Sequence, residues 1–189
     1  MEFREVIESR HAVRHFRDDP VPRESLGRVV SAARVAPSAY NEQPWRLFVL
    51  RGEGRRRLGG LIAQATIHLE EMIDTLGQDG VDEAAHWYAS LGDAPVLVAI
   101  ASPCSADGLV RLNRHLSVGA VLENLLLAAV DEGLSACPIT YSHWVEGEIA
   151  ELLELPKDWD VLTVVAIGLP TDRKTGSPRR REDDTVWLD

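Results

Sequence analysis

Cysteine is scarce in this chain, with two residues, Cys104 and Cys137, among 189. They stand without CxxC or metal-ligand spacing. The pair therefore reads as reduced thiols of a cytosolic protein, both buried as small hydrophobes, and not as a disulfide framework. Long hydrophobic runs are also missing. The longest apolar stretch, Val118 to Val130, is interrupted by Glu123 and Asn124, which excludes a transmembrane helix. The first eight residues carry charge from the second position and hold no signal-peptide core, so the expected location is the cytoplasm. Neither a GxSxG elbow nor a P-loop occurs, which leaves hydrolase and nucleoside-triphosphatase chemistry without support. Positive charge is in deficit. A net charge of −10 argues against nucleic acid, whose binding draws on lysines and arginines at phosphates.

What is present fits one domain over residues 1–189, with 45% hydrophobic and 26% charged residues. A chain of this size buries about 70% of its unfolded surface and folds without disulfide or metal. The cations it has are clustered. Ser9 to Arg17 (SRHAVRHFR) holds three arginines, two histidines and no carboxylate, and Arg173 to Arg181 (RKTGSPRRR) holds five cations and no carboxylate. Two basic patches on an acidic protein suit a compact anion gathered from both, with a phosphate monoester the natural candidate. Solvated surface charge is the alternative.

Hydrophobic periodicity predicts helices over Phe3–Ser9 and Glu24–Ala36, the second after a break at Val21-Pro22. Strands are expected at Trp45–Leu50, Pro95–Ala101, Leu134–Ile139 and Val161–Ile167. Further helices are expected at Arg55–Leu76, Asp82–Leu91 and Val145–Leu153. The stretch Leu112–Glu132 is apolar on nearly every face from Leu116 to Val130, the pattern of a helix buried all round, and Gly133 stops it. Gly119 and Ala120 would let another helix approach closely. The order makes an α+β sandwich with a small sheet against helices. So oily a helix in so short a chain also points to an obligate dimer.

Three motifs lead nowhere. Gly52-Glu53-Gly54 follows a strand as a dinucleotide fingerprint should, but Arg57 stands where the third glycine belongs; a helix-initiating hairpin loop explains it better. His11 and His15 are four apart without an acidic or histidine partner, and His68 with Glu70, Glu71 and Asp74 reads as a solvated helix face, so no metal is expected. Two other segments carry chemistry. In Arg10-His11-Ala12-Val13-Arg14-His15-Phe16 the two arginines can present guanidiniums to one phosphate, with backbone N–H groups of the turn adding donors. In Ala36 to Trp45 a rigid, proline-bounded loop holds Ser38, Asn41 and Gln43, whose polar groups suit the edge of a planar heterocycle.

The RHxxRxF segment followed about twenty residues later by APSxxNxQPW resembles the FMN-dependent nitroreductase family. The similarity continues through the apolar helix, Gly133-Leu134, Cys137-Pro138-Ile139 and Ile167-Gly168-Leu169-Pro170. The resemblance implies a three-layer sandwich, with a small, mostly antiparallel sheet flanked by helices around a long buried central helix. It also implies a homodimer with FMN at the subunit interface. Arg10, His11, Ala12 and Arg14 would then hold the phosphate and ribityl chain, joined by Arg179 or Arg181. Pro37, Ser38, Ala39 and Asn41, with Gln43, would reach the flavin of the partner subunit. Pro138, Ile139 and Thr140 would pass beside the isoalloxazine near N5. Two departures stand out. Ala12 replaces a usual serine, losing about 1 kcal/mol of hydrogen bonding to the phosphate, and Thr140 replaces a glutamate found in some nitroreductases. Residues 55–91 could supply a lid, with His86, Trp87 and Tyr88 lining the pocket or packing in the core.

The implied activity is hydride transfer from NAD(P)H through flavin N5 to a small oxidised acceptor, nitroaromatic- or quinone-like, in a ping-pong sequence that needs no catalytic side chain. The alternatives are another flavoenzyme of the same fold (a reductive dehalogenase, a flavin-fragmenting synthase or a peptide-product dehydrogenase) and a non-catalytic FMN-binding or storage protein.

Overall fold

The structure, a computed structural model, describes residues 1–171 and 185–188. Helices α1 (Phe3–Ser9) and α2 (Arg23–Arg34) lead into strand β1 (Arg46–Arg51). Helices α3 (Gly52–Gln64) and α4 (Ile73–Ser90) follow, then β2 (Val96–Pro103), the 24-residue α5 (Gly108–Asp131), β3 (Ser135–Ile139), α6 (Glu146–Leu152) and β4 (Trp159–Gly168). The strands form one antiparallel sheet in the order β1-β2-β4-β3.

Alternation of side chains along each strand sends residues to opposite faces, and both faces are covered. Val96, Val98, Ile100, Val165 and Ile167 pack against Leu26 and Val29 of α2 and Val121 and Leu125 of α5. Leu97, Ala99, Val164 and Ala166 pack on the other side against Leu58 and Ile62 of α3, Trp87 of α4 and Ile149 of α6. The result is the expected three-layer α+β sandwich. It also explains why β2 and β4 read as nearly continuous apolar runs.

Sequence and structure differ in four places. The region 55–91 does not hold one helix to Leu76 and another from Asp82. Helix α3 ends at Gln64, a tighter 3₁₀ stretch runs over Ala65–Met72, and α4 starts at Ile73 with a break at Gly77, φ 69°. Ala65 and Leu69 are buried, so tertiary packing sets the tightening, and periodicity cannot register it. The Gly52 segment initiates a helix as expected but forms no hairpin loop: Gly52 opens α3 directly after β1. Helix α5 is not buried all round either. Leu109, Leu112 and Leu116 are exposed, the last by 65%, while Val118, Val121 and Leu125 face the sheet. Cys104 is exposed at the end of β2 and only Cys137 is buried, because Cys104 has already left the central strand.

The chain from Ala12 to Arg17 straps the β3 side: Ala12 bridges Ala136, and Val13 N–H donates to the Ala136 carbonyl at 3.2 Å. Phe16 N–H donates to Gly92 O (2.9 Å) and Arg17 N–H to Leu169 O (2.8 Å). Gly92, at φ 60°, permits this approach; a Cβ there would lie 1.8 Å from the Arg14 carbonyl oxygen. Replacing Gly92 by alanine is therefore expected to lower the melting temperature by several degrees, since both clash and left-handed strain oppose it. Gly27→Ala, on an exposed helical surface with open space at the Cβ, is the matched control and should raise stability by about 0.4–1 kcal/mol. Thermal melts of both variants check this; equal responses would contradict the strap.

Candidate active site

The strap forms one wall of a cavity. The cavity, of about 500 Å³, lies between this strap, β3 and α4, lined by Arg14, His15, Glu83, His86, Trp87, Tyr88, Cys137 and Pro138 among others. The order of events along the chain is local. Helix α1 ends at Ser9, the backbone turns extended from Arg10, and pairing with β3 leaves Arg14 exposed at the cavity rim. Buried Trp87 holds this position by donating its indole N–H to the Arg14 carbonyl at 2.6 Å. Tyr88 stacks on Tyr141, with ring centroids 4.8 Å apart, and meets Trp87 edge-on at 5.0 Å. All three aromatic or imidazole groups suggested for the pocket, His86, Trp87 and Tyr88, line it, and Trp87 also packs in the core.

Burial raises the Tyr88 phenol above its usual range, and desolvation likewise raises the Cys137 thiol, against a smaller opposing pull from Arg14. Both stay protonated at neutral pH, so Cys137 is a wall of the cavity and no thiolate nucleophile. The Tyr141 hydroxyl is buried without a hydrogen-bond partner among the described residues.

The residues anticipated from sequence fall into three groups. Arg14 and Pro138 share the cavity, with Ala12 beside them through its bridge to β3. Arg10 and His11 are close in the chain but engaged: the Arg10 guanidinium pairs with Glu123 of α5 at 3.0 Å, and the His11 ring bonds to the Ser9 carbonyl at 2.8 Å. Arg10 and Arg14 thus do not converge unopposed. Ile139 is buried in the core and contributes no side chain to the cavity; its carbonyl accepts from Thr163 and Ser142, each at 3.1 Å. Thr140 is exposed just beyond the strand. Arg179 and Arg181 lie outside the described residues.

The third group is the loop of Pro37, Ser38, Ala39, Asn41 and Gln43, which is anchored elsewhere, on the first half of α5. Arg114 bonds to Glu42 at 2.6 and 2.8 Å, and Ala39 N–H donates to the Ser117 hydroxyl at 3.4 Å. Its polar groups first hold the loop itself: Gln43 N–H donates to Ser38 Oγ, and Gln43 Nε2 to Asn41 Oδ1, both at 3.0 Å. Tyr40, Asn41 and Gln43 all have positive φ, between 49° and 55°. Sequence reasoning missed the α4 lining, Leu76, Gly80, Glu83 and Ala84, whose place depends on the Gly77 break.

A cation, a strand end and an aromatic wall around one cavity form the setting into which the comparisons with known proteins fall. The profile described as "Nitroreductase family" matches residues 7–169. The chain belongs to the nitroreductase family. It is 27% identical to a 4-nitrobenzoate reductase of Pseudomonas putida, over 92% of this chain and 88% of that protein. It is 30% identical to a 5,6-dimethylbenzimidazole synthase of Rhodospirillum rubrum, over 88% and 81%. Among solved structures, the FMN-dependent nitroreductase NfnB from Mycobacterium smegmatis in complex with NADPH matches with a TM-score of 0.79 and 24% identity, covering 98% of this chain and 97% of that one. The family's fold is therefore the fold described above.

Trp87→Phe tests how the site is held. It keeps an aromatic ring and removes the donor to the Arg14 carbonyl, leaving that acceptor unmatched, for an expected loss of about 1–3 kcal/mol. Denaturant titration measures it; an unchanged midpoint would show that the indole bond does not secure the strap.

Proposed function

We propose that this chain is a cytoplasmic FMN-dependent oxidoreductase, a homodimer that uses NAD(P)H to reduce a small acceptor of nitroaromatic or quinone type. The observation that carries the reading is the cavity in which Arg14, Pro138 and the aromatic pair Trp87–Tyr88 meet. Its residues fit the group. The volume admits a planar ring system, the walls are aromatic, and an exposed guanidinium stands at the rim for an anion or an electron-rich ring edge. When bound, FMN would supply the redox chemistry, hydride exchange between a nicotinamide donor and the acceptor, and Arg14, Arg10 and the strand end at Pro138 would hold it.

The chain's own residues supply position and electrostatics. Arg14 stabilises negative charge that develops at the ring edge. Arg10, whose Nε pairs with Glu123, would add a contact to the phosphate, and the backbone at Thr140, just beyond β3, would line the flavin's place. Trp87 and Tyr88 exclude water from the inner wall. No side-chain nucleophile is needed, and none is assigned. The loop at Pro37–Gln43 serves the partner's site, because within its own protomer it is anchored on α5 and lines no part of the cavity. The exposed face of Leu109, Leu112 and Leu116 supports a dimer. Gly119 supports it too, being exposed with open space around its Cβ position, so that backbone can meet backbone.

Arg10→Ala and Arg14→Ala are each expected to release FMN on gel filtration while far-UV circular dichroism stays unchanged. Retention in both variants would show that the phosphate lies elsewhere. Anaerobic mixing of the FMN-loaded protein with NADH or NADPH should bleach the yellow absorbance. If neither does so, the nicotinamide-linked reading fails, and a flavin-fragmenting or storage role takes its place.

A further inference from the structure

Helix α4 brings a polar pair to the cavity beside its aromatic wall. Gly80, Ala84 and Trp87 recur at helical spacing along one face, and the small residues at 80 and 84 keep that side open. Glu83 and His86 edge the same face, three residues apart and so neighbours on the helix surface. Both line the cavity, and neither makes a hydrogen bond or ion pair with any described residue. Other imidazoles are engaged locally: His68 pairs with Glu71, His143 with Glu146, and the His11 ring bonds to the Ser9 carbonyl.

The groups facing His86 differ in whether they can exchange a proton near neutral pH. Arg14, on the strap, keeps its charge throughout. Burial holds the Tyr88 phenol of α4 and the Cys137 thiol of β3 in their protonated forms, and Tyr141, stacked behind Tyr88, is raised in the same way. Glu83 is the one acidic side chain of the lining. The remaining groups are His15 and His86, of the side-chain type that changes charge around neutrality. His15 rides on the extended strap and has no carboxylate beside it in the cavity. His86 stands on a helix, next to the Trp87 whose indole is fixed on the Arg14 carbonyl at 2.6 Å, and has Glu83 one turn away. Both His86 and Glu83 are also exposed, which keeps them in exchange with solvent.

We infer that His86 is the proton donor to the acceptor during its reduction. This rests on the proposed flavin-dependent reading of the same cavity. Conversion of an aromatic nitro group to a nitroso group takes two electrons and two protons. A hydride equivalent, drawn from NAD(P)H, carries both electrons and one proton. The second proton passes from the His86 imidazolium to a nitro oxygen, one N–O bond breaks, and that oxygen leaves as water with both hydrogens. The neutral ring then regains a proton from solvent, with Glu83 as the neighbouring relay. With a quinone no bond breaks, and the second proton ends on a carbonyl oxygen.

The test mixes reduced, FMN-loaded protein anaerobically with 4-nitrobenzoate or with ferricyanide, which takes up an electron and no proton, and follows flavin reoxidation at equal flavin content. His86→Gln should lower the ratio of the nitrobenzoate rate to the ferricyanide rate about a hundredfold. In the parent chain the nitrobenzoate rate should fall as pH rises through the neutral range, because the acid form is lost; in His86→Gln it should be flat. His143→Gln, outside the cavity, should keep the parental profile, and added imidazole should restore part of the His86→Gln rate. A readout independent of turnover is histidine-ring NMR of the oxidised, FMN-loaded protein, in which 4-nitrobenzoate should shift the ring resonance that His86→Gln removes. An unchanged rate ratio, a pH dependence that persists in His86→Gln, or a His86 resonance that nitrobenzoate leaves in place would each overturn the inference. A parent chain that holds no FMN, or that neither nicotinamide reduces, would instead overturn the reading beneath it.

Discussion

The strap over the β3 edge is the contact on which the rest of the site depends. Ala12 and Val13 borrow one unpaired edge of the sheet, and Phe16 and Arg17 close onto Gly92 and Leu169. Without these bonds Arg14 would be a surface arginine on an extended segment, with no fixed relation to Pro138. With them, a basic segment from the chain's start becomes one wall of a cavity whose other walls come from residues 76–88 and 137–138. The indole of Trp87 completes the arrangement from the opposite side, on the Arg14 carbonyl.

The strap also explains the division of labour between the two arginines. They are four residues apart, but the extended backbone between them sends Arg14 to the cavity and Arg10 to Glu123 of α5. One phosphate held equally by both is therefore too simple. Arg10 is tied to the helix whose outer face a second copy would cover, so the anion site and the proposed subunit contact share a structural member. The loop at 37–43 is fastened to the same helix. Helix α5 is thus the common support of the basic segment, the strained loop and the apolar face.

Much of the fold was legible in the sequence, for physical reasons that particular residues illustrate. All four strands lie where runs such as Val96 to Ala101 and Val161 to Ile167 place them, because a strand covered on both faces is apolar throughout. Helix α5 and its stop at Gly133 were equally plain. The region 55–91 was not, since a change from α to 3₁₀ winding depends on whether Ala65 and Leu69 find a core, and composition does not record that. At the site, the basic segment and the Pro138 strand end were found by motif, and the structure brings Arg14 and Pro138 together. The Glu123 partner of Arg10, 113 residues away, and the left-handed Tyr40 were invisible to pattern reading, because both arise from tertiary placement.

In the proposed function, the flavin slot is built by this chain and completed by its copy. Native mass spectrometry of protein reconstituted with FMN tests it most directly. The expected species is two chains carrying two FMN molecules, with loss of flavin accompanying dissociation to single chains. A monomer that keeps FMN through the same dilution, or a dimer that takes up none, would contradict the account.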